Sequence, residues 1–390
     1  MLHKFPAAPA CQVTLANWRT APFNQWGFRN VRNIVPTAPI RRPDRYRKLA
    51  RASRGLDRLE YVDRHGQSQR LDAVLARTHT DALLVMHAGV IIEERYFGGM
   101  RPDDQHILMS VSKSVTAVLA GILQDHGYVD FNASVASYIP EVGACAYAQA
   151  SVQQLMDMQV GVAFDEDYLA TSGAMIAYRQ ATGWNPGADG VAPSDLRSFL
   201  LTLQAQGESG APFRYTSPNT DLLGWVLERA AGKSLAELFS SYLWQPLGAE
   251  FDAYITVDRL GAPRAAGGIC MSLRDLARFG LMMLEQGSSD GNAVVSNDWV
   301  CETTTSGDQN AWAAGKFSSF FPGGCYHNKW YQTRNALDAY CGLGIHGQFV
   351  YVAPGSGTVI ARFGSDPSPL DPSATMTLID MLEGIASELG

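Results

Sequence analysis

The chain has 390 residues, 46% hydrophobic and 18% charged, enough to bury a sizeable core in roughly two lobes. A net charge of −7 and a pI near 5.6 exclude general attraction to nucleic acid or an anionic membrane, and no stretch reaches the length of a membrane span. Six scattered cysteines without a Cys-x-x-Cys pair, and eight histidines without metal-ligand spacing, argue against a disulfide framework or a zinc site, and no cofactor is expected.

Residues 1–75 are rich in Pro, Arg and isolated aromatics, which predicts an irregular arm packed on the body, of unreadable function. The N-terminus lacks the apolar run of a secretory signal, so a cytoplasmic location is expected by default. The basic stretch 41–54 reads as a solvated linker. Runs 82–87 and 90–97, joined at Ala88 and Gly89, predict a β-hairpin.

The one Ser-x-x-Lys pair of the chain, Ser110 and Lys113, comes next. With 28 serines and six lysines, chance supplies about 0.4 such pairs, so context must carry the weight. Val111, Val115, Val118, Leu119, Ile122 and Leu123 form the apolar stripe of a packed helix that Gly127 stops. Ser110 thereby lies in the first turn, where free N–H groups and the helix dipole favour an oxyanion formed by serine attack on a carbonyl. A lysine one turn on shares that face and can take the serine proton. The alternative is a plain N-cap role for Ser110 or Ser112.

From 128 to 250 the pattern is helical: a capped short helix from Ser151, another over 196–206, and a third from Asp221 to Gly232, following Ser217 and Pro218. Strand-like runs return at 349–353 and 358–363 around a turn at 355–357, and 376–389 closes the chain as an amphipathic helix. The predicted fold class is α+β. An antiparallel sheet flanked by helices, built from 76–127 and 251–390, accompanies a mainly helical lobe of 128–250, with the site in a cleft between them.

Several strings in this order resemble the serine β-lactamase and penicillin-binding-protein superfamily, in its class C-like esterase branch, and within it the 6-aminohexanoate-dimer (nylon-oligomer) hydrolases. They lie at 108–114, 165–168, 215–221, 242–244, 255–258, 267–268, 274–278 and 342–348. The resemblance implies a β-lactamase-like fold and a small-molecule amide or ester substrate cleaved through an acyl-enzyme, with carboxylesterase activity on short acyl esters. It also implies a homodimer.

By the same resemblance Ser110 is the nucleophile and Lys113 its base, which requires a desolvated site or a neighbouring cation. Tyr215 passes a proton to the leaving group or assists the lysine. Ser217 holds Tyr215 or Lys113, or else only caps a helix. The N–H of Ile345, with that of Ser110, forms an oxyanion hole, while His346 either orients polar groups or is a satisfied core residue. Tyr168 touches the scissile amide nitrogen, and Tyr331 covers the cleft. The acidic segment Asp165, Glu166 and Asp167 either solvates a loop or attracts a substrate ammonium.

Two positions depart from that branch. Arg179 stands where a carboxylate holds the substrate's amino group, and Ala266 replaces an assisting polar residue. Two other functions remain open: a β-lactamase or D-Ala-D-Ala peptidase, weakened by the missing export signal and Lys-Thr-Gly cation, and a non-catalytic binding relative.

Overall fold

The computed structural model describes residues 8–187, 194–210 and 212–390, so the first seven residues of the predicted arm lie outside the described residues. In chain order, strands β1 (Thr37–Ile40) and β2 (Ala50–Arg51) belong to the arm, and the hairpin is β3 (Thr80–His87) and β4 (Val90–Tyr96). Strand β5 (His106–Ile107) leads into helix α1 (Val111–Asp125). The middle segment carries α2 (Ala174–Ala181) and α3 (Ser217–Ala231). Then follow β6 (Ala253–Thr256), β7 (Ile269–Met271), α4 (Leu273–Leu284), β8 (Cys325–His327) and β9 (Trp330–Gln332). The chain closes with β10 (Tyr340–Gly344), β11 (Gln348–Ala353), β12 (Thr358–Gly364) and α5 (Pro372–Ser387).

The main sheet has the strand order β8-β9-β10-β11-β12-β3-β4-β2, antiparallel except for the edge pair β4 and β2. Its centre joins the two ends of the chain, with Leu84 opposite Ala361 and Val85 opposite Ile360. The period of two along each strand divides the apolar residues between two cores. Leu84, Met86, Val350, Val352 and Ala361 pack in the cluster of α1 and α4, whereas Leu83, Val85, Tyr351 and Ile360 face Leu378, Ile379 and Leu382 of α5. The predicted α+β fold with its antiparallel sheet is the observed one.

A second, four-stranded antiparallel sheet has the order β1-β6-β7-β5. It positions the site. Ile107 pairs with Cys270, and the Leu108 N–H donates to the Ile269 carbonyl at 2.9 Å, so the entry to α1 lies against residues 264–268. This sheet corrects the reading of the arm. Ala38 pairs with Ile255, and Trp18, Phe28, Val31 and Val35 are buried with Met109 and Trp184 in a core of their own.

Stretch 41–54 is mostly exposed, as expected of a solvated linker, but it is pinned at Arg47. Arg47 forms two 2.9 Å bonds to Glu285, and its carbonyl accepts from Arg278. Helix bounds also differ from expectation, α5 starting four residues before 376. The helix from 196 ends at Thr202 because Ala205 bridges to Val162, and α3 starts four residues early because Pro218 fits its first turn. Ser151 heads its short helix with a capping box to Gln154.

Helix α1 is buried from Val111 to Leu123. Close packing on it needs Gly121, where a Cβ would stand 2.5 Å from the Trp299 ring. Alanine gains about 1 kcal/mol of helix propensity, but forcing the indole aside costs about 1–3 kcal/mol. Gly121→Ala is therefore expected to lower the urea midpoint of unfolding, and a raised midpoint would refute this packing argument.

Candidate active site

Ser110 sits at the N-cap of α1, following Met109, which is held at φ +46° with its side chain buried. A positive φ at a non-glycine residue is strained, and here it turns the chain sharply from β5 into the helix. Ser110 makes no side-chain capping bond, which removes the N-cap alternative, while the Ser112 hydroxyl accepts the Ile269 N–H at 3.2 Å. The Ser110 hydroxyl is left to Lys113, whose Nζ lies 2.9 Å from Oγ and donates to the Ala266 carbonyl at 2.7 Å.

Lys113 is 2% exposed. Burial pushes its pKa down to about 7, with Arg264 adding to the fall and Glu166 and Asp221 opposing it. Near neutral pH much of it is an amine, with a lone pair able to accept the Ser110 proton while an N–H keeps the Ala266 carbonyl. The half-buried Tyr215 places its ring 4.9 Å from Lys113 Nζ and borders the cleft together with Ser110 and Tyr331. Burial, and Glu166 after it, raise the phenol well above its ordinary range, so it stays protonated at neutral pH.

Opposite Ser110 runs the turn after β10. A Cβ on Gly344 would stand 2.7 Å from the Leu108 carbonyl oxygen and 3.0 Å from the Ser110 nitrogen, so only glycine lets the two segments approach. Among the described residues the N–H groups of Ser110 and Ile345 make no backbone hydrogen bond, and both residues border the cleft.

A beta-lactamase family model matches residues 68–380. The chain belongs to the beta-lactamase family. This beta-lactamase-family chain is 38% identical over 366 residues to a 6-aminohexanoate-dimer hydrolase of Paenarthrobacter ureafaciens, covering 94% of the chain and 91% of that protein. Among solved structures, a Bacillus anthracis protein proposed as a 6-aminohexanoate-dimer hydrolase superposes with a TM-score of 0.89 at 27% identity, over 97% of each chain. A family VIII carboxylesterase shares the fold alone, with a TM-score of 0.59 at 18% identity, over 80% of this chain and 95% of that one. The protein is thus a hydrolase of the beta-lactamase family, on the branch that the sequence resembles.

Ser110 divides the family's cleft here into two sides. One, the wider, is bordered by Arg19, Glu166, Arg179, Trp184, Arg264 and Ala266. The other is aromatic, with Tyr215, Phe317, Phe320 and Tyr331. Tyr168 borders both, and Tyr331 is a buried wall on β9. Ser217 holds neither Tyr215 nor Lys113 directly. Its N–H donates to Glu166 at 2.5 Å, its hydroxyl donates to the same carboxylate, and Tyr168 adds a third bond at 3.0 Å.

His346 lies off the cleft. Its Nδ1 bonds the Asp366 carbonyl at 2.7 Å, its ring meets Phe28 edge-on, and burial lowers its pKa to about 4, so it is the satisfied core histidine of the two readings. Of the acidic segment, Asp165 and Asp167 are exposed, and Glu166 alone enters the site.

Four residues escaped sequence reasoning in these positions: Glu166 as an anchor, Arg19, Arg264 and Asp221. Asp221 accepts from the Ala266 N–H at 2.8 Å, the Tyr178 hydroxyl at 2.5 Å and the Arg264 guanidinium. Its place in the 215–221 string was the available signal; Arg19 had none. The chain's Gly-x-Ser-x-Gly string, 287–291, is not a nucleophile elbow. Its Ser289 lies in a short ribbon and donates to the Leu247 carbonyl at 2.9 Å. Among the described residues no group of His, Cys, Asp or Glu is arranged to hold a metal, and no helix is long and apolar enough to cross a membrane.

Arg264 and Asp221 form a buried pair beneath the site. Arg264→Leu leaves the Asp221 charge uncompensated, at a cost of about 3–5 kcal/mol. Urea unfolding checks this, and a loss below about 1 kcal/mol would mean that the pair behaves as an exposed one.

Proposed function

We propose that the protein is a serine hydrolase that cleaves small amides and esters, including short acyl esters, through an acyl-enzyme on Ser110. The observation that carries this reading is the 2.9 Å approach of a buried lysine, with its pKa lowered to about 7, to a serine hydroxyl free of any capping bond. Burial supplies the neutral base, and the helix entry supplies the oxyanion donors. A cytoplasmic location and a homodimer belong to the same reading.

The chemistry proceeds in two displacements. Lys113 takes the Ser110 proton as Oγ bonds to the substrate carbonyl carbon, and the carbonyl oxygen, now negative, lies between the N–H groups of Ser110 and Ile345. Collapse breaks the bond to the amine or alcohol, which leaves with a proton delivered by Tyr215, which lines the cleft beside Ser110. Tyr215 is reprotonated from Lys113. Water then attacks the acyl carbon by the same proton route, releasing the acid and restoring the serine. Tyr168, tied to Glu166, stands beside Ser110 to accept or position the amide nitrogen.

Ser110→Ala is expected to lower turnover of a short-chain aryl ester by about a thousandfold or more, and a fluorophosphonate should add to the wild-type protein at Ser110 by intact mass. Unchanged turnover in the variant, or no adduct, would remove Ser110 as the nucleophile. The pH dependence has a definite sign. The base works when neutral, so kcat/KM should rise with pH up to about 7 and level off above it, Tyr215 remaining protonated throughout. A profile flat across that region would exclude Lys113 as the base.

A further inference from the structure

The wider side of the cleft holds two guanidinium groups without a carboxylate partner among the described residues. Arg19 lies 5.6 Å from the Trp18 ring and 5.8 Å from the Trp184 ring, and bonds the Asn185 side-chain oxygen. Its Nε is buried without a hydrogen-bond partner. Arg179 donates only to main-chain carbonyls, those of Tyr168 at 2.8 Å and Ala170 at 3.5 Å. The third guanidinium, Arg264, is matched by Asp221.

The nearby anion, Glu166, makes no ion pair with either: its oxygens accept the Ser217 N–H, the Ser217 hydroxyl and the Tyr168 hydroxyl, and its one charge, felt at Arg179, faces two cations. Burial first, then Arg179 and Arg264, pull the Arg19 pKa down, a penalty that an anion seated between the guanidinium groups would remove.

The direction of the substrate follows from Tyr215, which borders only the aromatic side. As proton donor to the departing group, it assigns that side to the amine or alcohol, and the arginine side to the acyl chain. Resting on the acyl-enzyme reading above, we propose that this protein prefers monoesters and monoamides of aliphatic dicarboxylic acids, with the free carboxylate of the acyl chain held by Arg19 and Arg179. A substrate whose acyl chain ends in an ammonium group meets repulsion at the same place.

Three 4-nitrophenyl esters test this: the monoester of adipate, the hexanoate and the 6-aminohexanoate. The adipate monoester is expected to exceed the hexanoate in kcat/KM by about tenfold or more, from a charge-assisted contact, with the 6-aminohexanoate lowest. Arg179→Asp should reverse the ratio between the two charged esters. Equal kcat/KM for all three, or an unreversed ratio, overturns the proposal.

Titration of adipate into Ser110→Ala protein reads the anion site without chemistry. Its Kd is expected to weaken about tenfold with Arg19→Gln or Arg179→Gln added. Undetectable binding, or binding insensitive to both substitutions, also overturns the proposal. If no ester is hydrolysed while adipate binds through the arginines, the Ser110 chemistry fails and the anion site stands. If esters are hydrolysed without regard to charge, the reverse holds.

Discussion

Everything at this site depends on keeping one lysine out of water. An ammonium group in an apolar interior is unstable, and the structure meets that cost by letting Lys113 become an amine near neutral pH. Its single strong acceptor, the Ala266 carbonyl, fixes where the remaining N–H points and so where the lone pair points. A second full charge within contact distance would have restored the ammonium. Asp221 lies close enough to matter, but its charge is spent on Arg264, Tyr178 and a backbone N–H.

This explains why position 266 needs no polar side chain to matter. Its backbone does the holding in both directions, carbonyl to Lys113 and N–H to Asp221. Asp221 rides on α3, Lys113 on α1, and the 264–268 segment hangs from the small sheet, so three elements meet through one residue, Ala266. Glu166 plays the matching part on the opposite rim. It ties Tyr168 to the start of α3 and converts a loop that composition alone would leave to solvent into a wall.

The parts legible in the sequence were those with a local physical signature. The stripe on α1, the hairpin at Ala88, the capping box at Ser151 and the late strands each announce themselves within a dozen residues. The approach of Lys113 to Ser110 was equally local, because a helical turn sets their distance. What stayed hidden was built from residues far apart in the chain. Arg19 enters the cleft because Trp18, Phe28 and Val35 bury the arm against Met109 and Trp184, a packing fact with no periodic pattern to reveal it. His346 resembled a site residue by its neighbours in sequence, yet its positive φ and its bond to Asp366 carry the ring into the core. Arg179 stood out in the sequence as a departure, but its meaning waited on Arg19.

The pairing of β3 with β12 also bears on how the protein comes into being. Residues 80–87 lie beside residues 358–364 at the centre of the main sheet, and 344–345 complete the surroundings of Ser110. On a ribosome helix α1 would emerge long before the strands that enclose it. Until those strands are made, Lys113 would have water around it and stay an ammonium. Its lowered pKa would therefore arrive only with the strands that complete the sheet.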